Sequence, residues 1–256
     1  MSAAAPSSSF GPAATVIDVD LTGAALPGMS PGLYGVLAVP QGEGPWPAVV
    51  MVFEAFGLTD VMRRQVDRLA GMGYLVLMPD IFVDGGVRKC IRATFSAITS
   101  GQGRAWVDVE AARAYLAARD DCNGKVGILG FCMGGGFALV AASGRGFDAA
   151  SVNYGPPPRD LHKVLTDPCP IVASYGHKDL TQRGAAAKLE AELSTRGVPH
   201  DVKEYPTAGH SFLNDAPTGP RAICPLTALI LGAGPNPEAA ADAWQRIDTF
   251  FTEHLA

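Results

Sequence analysis

The chain contains no cluster of Lys and Arg, no apolar run near the roughly 18 residues that a membrane helix needs, and no Cys-x-x-Cys pair. Each absence excludes a class of function. With no basic patch and a formal net charge of −5, the chain has nothing to match the phosphates of nucleic acid or of an anionic membrane. Without a long apolar run, no segment is expected to span a bilayer. The five cysteines, odd in number and irregularly spaced, fit neither a disulfide framework nor a zinc site, which points to free thiols in a reducing, cytoplasmic compartment. Residues 1–14 are rich in Ala, Ser and Pro but lack a basic start, and they read as a flexible tail rather than a signal peptide. No internal repeat is present. What remains is a partner of small-molecule size.

The 256 residues are 48% hydrophobic, enough for residues 15–256 to form one large domain with a full core. Short apolar runs alternate with helix-like segments, the pattern of an α/β protein with a mostly parallel sheet covered by helices on both faces. The clearest central strands are Ala48–Phe53, Tyr74–Met78, Lys125–Phe131 and Ile171–Tyr175, each apolar on both faces. Thr15–Leu21 and Leu33–Val39 read as an antiparallel opening hairpin, and Asp201–Tyr205 as a late strand. Helical spacing predicts Val61–Met72 with Asp60 as its cap, then Ala105–Ala118, Gly134–Ala142, Ala185–Thr195 and Pro237–Leu255. The last has Trp244, Ile247, Phe250 and Phe251 as its buried stripe. Asp84–Lys89, Gly155–Pro158 and Asn214–Pro225 follow strands, where an open α/β sheet gathers ligands, and are read as functional loops.

Between the Lys125–Phe131 strand and the helix that begins at Gly134 lies Gly130-Phe131-Cys132-Met133-Gly134. This is the layout of a nucleophile elbow, with a thiol where most elbows carry a hydroxyl. With 30 glycines in the chain, a given cysteine is flanked this way by chance about once in seventy, so context must support the reading. A thiol of ordinary pKa is mostly protonated at neutral pH and needs a base beyond the field of the following helix. Of the five histidines, His210 in Ala208-Gly209-His210-Ser211-Phe212 follows a late strand, whereas His162, His177, His200 and His254 look like surface groups. Asp179, after the strand Ile171–Tyr175, would orient that imidazole, although an aspartate here also suits a helix cap. The order Cys132, Asp179, His210 is that of nucleophile, acid and base in hydrolases built on this elbow. Glu54 ends an apolar strand, where an acid is costly without a partner or solvent. Ala55 and Met133 are the candidate backbone donors of an oxyanion hole.

Glu54-Ala55-Phe56-Gly57, Met78-Pro79-Asp80, Gly130-Phe131-Cys132-Met133-Gly134-Gly135, Asn153-Tyr154-Gly155, Tyr175-Gly176-x-x-Asp179 and Gly209-His210-Ser211-Phe212 together resemble the dienelactone hydrolase family, over about Leu33 to Leu255. The resemblance implies an α/β-hydrolase fold and cleavage of a small ester or lactone. It implies Cys132 as nucleophile, His210 as base, Asp179 as its orienting acid, Glu54 as an aid to thiolate formation, and no metal or organic cofactor. Phe56, Tyr154, Arg88, Arg92, Phe212 and Asn214 are the candidate pocket residues. Family members that open dienelactones hold the substrate carboxylate with two arginines, one placed four residues after the histidine; here that place is Asn214. A neutral amide cannot replace a guanidinium clamp, so a different ester or lactone is expected. The alternative is an impaired hydrolase that binds a small molecule or senses redox state through Cys132. The sequence leaves the oligomeric state open.

Overall fold

A computed structural model describes residues 14–219 and 224–256, so the tail expected at 1–14 lies, apart from Ala14, outside the described residues. In chain order the elements are β1 (Thr15–Asp20), β2 (Tyr34–Val39), β3 (Trp46–Val52), α1 (Asp60–Gly71), β4 (Leu75–Pro79), α2 (Gly86–Ser100), α3 (Arg104–Ala117), β5 (Cys122–Phe131) and α4 (Met133–Ala141). They continue with β6 (Ala150–Asn153), α5 (Leu161–Val164), β7 (Ile171–Gly176), α6 (Ala185–Arg196), β8 (His200–Tyr205), α7 (Cys224–Leu231) and α8 (Pro237–Leu255). The eight strands form one sheet in the order β1-β2-β4-β3-β5-β6-β7-β8. The predicted opening hairpin is present, with β1 antiparallel to β2 and β2 antiparallel to β4; every other pair is parallel.

The central strands are buried on both faces because helices cover both. Side chains alternate along a strand, and β5 shows the result. Phe131 stacks on Trp244 of α8 and Gly127 lies against Leu255, while Gly130, one residue out of phase, abuts the start of α4. On the α8 side, α1 packs alongside through Arg68 over the Trp244 ring. On the α4 side, Trp106 of α3 meets Phe137 at 4.5 Å between ring centroids. The predicted α8 stripe is buried as expected, and Asn236 caps this helix by accepting from the Ala239 N–H.

The structure corrects the sequence reading at several places. Thr59, not Asp60, caps α1: its hydroxyl accepts from the Met62 N–H, and Asp60 sits in the first turn where the helix dipole favours an acid. The segment from Asp84 is not all loop, since α2 begins at Gly86 on a left-handed Gly85 that offers no side-chain cap to read. Strand β6 was not recognised, being four residues long, nor were α5 and α7. Among the described residues no helix is long and apolar enough to cross a membrane. Because β3, β5, β6, β7 and β8 are parallel, the loops after them open at one edge of the sheet. These loops carry Glu54, Cys132, Tyr154, Asp179 and His210.

Candidate active site

Cys132 joins β5 to α4 with φ 53° and ψ −116°, a region that side-chain-bearing residues rarely enter. The turn closes only because its flanks lack Cβ atoms. A Cβ on Gly130 would lie 1.9 Å from the Gly134 carbonyl oxygen, and one on Gly134 would lie 2.0 Å from that of Val52. The elbow is tied to β6 by the Cys132 N–H, which donates to the Asn153 carbonyl at 3.0 Å. Cys132 is half-buried, and its side chain stands at the N-terminus of α4. Met133 is the first residue of α4, so its N–H has no acceptor within the helix.

Asp179 follows β7 and is 1% exposed. Its Oδ1 accepts from the Thr181 N–H at 3.0 Å and the Thr181 hydroxyl at 2.6 Å, capping the short turn Leu180–Gln182. Its Oδ2 faces His210 Nδ1 at 2.6 Å. The cap and the partner of the imidazole are therefore one side chain. His210 faces the same cavity as Cys132, and with Nδ1 on Asp179 its Nε2 is the nitrogen left to serve the sulfur. Burial alone would lower the imidazole pKa, but Cys132 and Asp179 outweigh it and push the value up to about 10. Burial raises the Asp179 carboxyl, and the bonds from His210 and Thr181 more than reverse this, leaving it below its ordinary value. The backbone of His210 is fixed on both sides: its N–H donates to Leu231 O at 2.9 Å, and its carbonyl accepts from the Gly234 N–H at 3.0 Å.

Glu54 is 2% exposed, two residues beyond the end of β3. Its Oε1 accepts from Ser211 Oγ at 2.9 Å and Asn214 Nδ2 at 3.0 Å, and its Oε2 from Thr218 Oγ1 at 2.8 Å. Glu54 and Cys132 face a cavity of about 130 Å³, whose wall also includes Ala55, Phe56, His210 and Leu231. Tyr154 lies just outside this wall, with its ring centroid 5.1 Å from that of His210. Burial first, and then the charges of Glu54 and Cys132, hold its phenol well above its ordinary pKa.

The model of the dienelactone hydrolase family matches residues 33–255. The chain belongs to the dienelactone hydrolase family. A putative carboxymethylenebutenolidase of Synechocystis is 27% identical over 268 residues, covering 93% of this chain and 99% of the relative. The carboxymethylenebutenolidase of Rhodococcus opacus is 27% identical over 242 residues, 90% of this chain and 89% of the relative. Among solved structures, a putative dienelactone hydrolase from Klebsiella pneumoniae superposes with a TM-score of 0.74 at 23% identity, over 94% of this chain and all of that one. At that identity the likeness establishes the shared fold, which is the α/β-hydrolase fold.

Within this dienelactone hydrolase framework the structure brings Cys132, Asp179, His210, Glu54 and Ala55 close to one another. Most of the candidate pocket residues are not brought there. Only Phe56 lines the cavity. Phe212 is fully buried between Tyr154 and Tyr205, because the left-handed Ser211 (φ 58°) turns the next side chain into the core. Asn214 is buried and spends its amide on Glu54. Arg88 and Arg92 stand on the exposed side of α2, away from the lining. Residues 220–223 of the loop expected at Asn214–Pro225 lie outside the described residues. The sequence reading missed Ala216, Leu231, Ala233 and Gly234 as lining residues and Ser211 and Thr218 as partners of Glu54. Ser211 follows the singled-out histidine directly, whereas Leu231 carries no local signal.

Proposed function

We propose that this protein hydrolyses a small carboxylic ester or lactone through a Cys132 thioester. His210 Nε2 takes the thiol proton, and sulfur attacks the substrate carbonyl. The oxyanion accepts hydrogen bonds from the Ala55 and Met133 N–H groups. Collapse breaks the C–O bond, and the alkoxide leaves with the proton from His210. His210 then draws a proton from water, which attacks the thioester and releases the acid and the thiol. Asp179 keeps the His210 proton on Nδ1 through the first step and stabilises the imidazolium that follows. Family resemblance adds Glu54 as an aid to thiolate formation.

The observation that carries this reading is the pairing of a strained thiol at a helix N-terminus with a buried imidazole that is itself paired to a buried carboxylate. The cavity of about 130 Å³ is small beside the several hundred Å³ of a pocket for drug-sized ligands, which favours a compact acyl group. Turnover of p-nitrophenyl acetate tests it. Cys132→Ala and His210→Ala are each expected to lower kcat/KM by at least about a thousandfold. A tenth of the wild-type rate surviving in either variant rejects the mechanism.

A further inference from the structure

The strand end Asn153-Tyr154 lies outside the cavity lining, yet it is tied to the segments that carry Cys132, Asp179 and His210. The Asn153 carbonyl accepts from the Cys132 N–H at 3.0 Å, and Asn153 Nδ2 donates to the Gly130 carbonyl at 3.2 Å. One residue thus grips the elbow on both sides of Phe131. The Tyr154 ring packs on that of His210, and the Tyr154 carbonyl accepts from Gln182 Nε2. Gln182 in turn donates its N–H to the Asp179 carbonyl at 3.2 Å, within the turn that Asp179 caps. The helix behind the sulfur rests on the same strand end, since a Cβ on Gly135 of α4 would lie 2.7 Å from the Asn153 carbonyl oxygen.

Packing alone does not account for the two amides. Asn153 is fully buried and Gln182 nearly so. A carbonyl only accepts, so each NH₂ must face the carbonyl it holds, and each amide oxygen then points elsewhere. Neither Asn153 Oδ1 nor Gln182 Oε1 finds a partner among the described residues. A buried acceptor without a donor costs the fold free energy that an apolar side chain of similar shape would not. Tyr154, at φ 40°, adds backbone strain at the same point. Three costs meet at one strand end, and what they secure is the spacing of the site.

We propose that Asn153 and Gln182 are positioning residues, whose buried amides clamp the strand end Asn153-Tyr154 so that the Cys132 sulfur and the His210 ring stay within reach of each other. This rests on Cys132 being the nucleophile. A displacement of about 1 Å between reacting groups is enough to cost about a hundredfold in rate. Neither amide lines the cavity, so substrate binding should be spared.

Asn153→Val and Gln182→Met each remove one amide and leave an apolar side chain in its place. With p-nitrophenyl acetate, kcat and kcat/KM are expected to fall together by about a hundredfold in each variant, with no lower Tm. Iodoacetamide gives a second readout that needs no turnover: His210 takes the thiol proton, the sulfur forms an S–C bond and iodide leaves. Its rate at pH 7, followed by mass spectrometry on the Cys132 peptide, is expected to fall at least about tenfold, because only the thiolate reacts. Variants that melt lower but keep the wild-type kcat and alkylation rate per folded molecule overturn the proposal, and so does loss of the fold in both. If only one fails to fold, the other decides by the same two rates. If Cys132→Ala abolishes turnover while both amide variants match wild type, positioning is overturned and the hydrolytic mechanism stands. A wild-type protein that turns over no ester, with Cys132 alkylated no faster than glutathione, overturns the mechanism and the proposal with it.

Discussion

Asp179→Asn changes the charge of the relay while keeping its shape. In the wild type, Oδ1 serves Thr181 and Oδ2 serves His210 Nδ1 at 2.6 Å. Asparagine can keep its oxygen on Thr181, so the Leu180–Gln182 turn retains its cap and the new NH₂ faces Nδ1. Two donors cannot share a hydrogen bond, so Nδ1 must become the acceptor and the ring proton moves to Nε2. That nitrogen then cannot take the thiol proton from Cys132. In a serine-protease relay the same Asp-to-Asn change fixes the wrong tautomer and lowers kcat by about 10⁴, so a loss of about 10² to 10⁴ in kcat/KM is expected. The assay is p-nitrophenyl acetate hydrolysis across pH, with thermal melting in parallel. Because the His210 pKa is raised from 6.5 to about 10, its cation stabilises the fold fully below 6.5, and that contribution is lost as pH rises through about 10. Without the Asp179 charge only Cys132 opposes burial, so the imidazole is raised less and the variant should show a weaker loss of Tm over that window. Asp179→Asn with activity within threefold of wild type, and an unchanged alkaline fall in Tm, would refute the relay.

Two further substitutions probe the elbow and the cavity. Gly134→Ala puts a methyl 2.0 Å from the Val52 carbonyl oxygen, a backbone atom that no rotamer change relieves. A cost of about 3 kcal/mol predicts a Tm lower by roughly 6–12 °C, and an unchanged Tm would contradict the close approach of α4 to β3. Leu231→Ala removes bulk from the wall of the cavity beside Cys132. Its kcat/KM profile over p-nitrophenyl acetate, butyrate and hexanoate should shift toward the longer acyl chains, and an unshifted profile would show that Leu231 does not set the acyl limit.

What could be read in the sequence follows from how local each signal is. The central strands could be read because burial on both faces demands unbroken apolar runs, as in Val49, Val50 and Met51, all fully buried. The elbow could be read because its constraint is steric and acts within five residues, Gly130 to Gly134. Asp179 and His210 could be read because each follows a strand end in the chain order that an elbow requires. The cavity wall could not. Leu231 and Gly234 come near Cys132 only through the hydrogen bonds that hold the backbone of His210, contacts that span some twenty residues of chain and leave no mark on composition. Helix α2 escaped for a related reason: its start has a glycine in place of a capping side chain. Arg88 and Arg92, candidate pocket residues by resemblance, are turned to solvent by the helix.

Backbone strain in this protein is concentrated at the candidate site. Of the four non-glycine residues with positive φ among the described residues, three belong to it: Cys132 at 53°, Tyr154 at 40° and Ser211 at 58°. Each such conformation costs about 1–3 kcal/mol and persists only where its surroundings leave no alternative. Here the restraint comes from backbone packed against backbone. The Tyr154 N–H is held by the Ser174 carbonyl at 2.7 Å, and Cys132 by that of Asn153. A Cβ on Gly209, next to His210, would sit 2.3 Å from the Gly232 carbonyl oxygen. Ser211 is bound to Glu54, so the strain that aims its hydroxyl also fixes the carboxylate facing the cavity. Relaxing any one of the three turns would displace the sulfur, the ring stacked on His210, or the partner of Glu54. The same contacts that hold the strain therefore also hold Cys132, His210 and Glu54 in register, so the candidate site presents a fixed geometry.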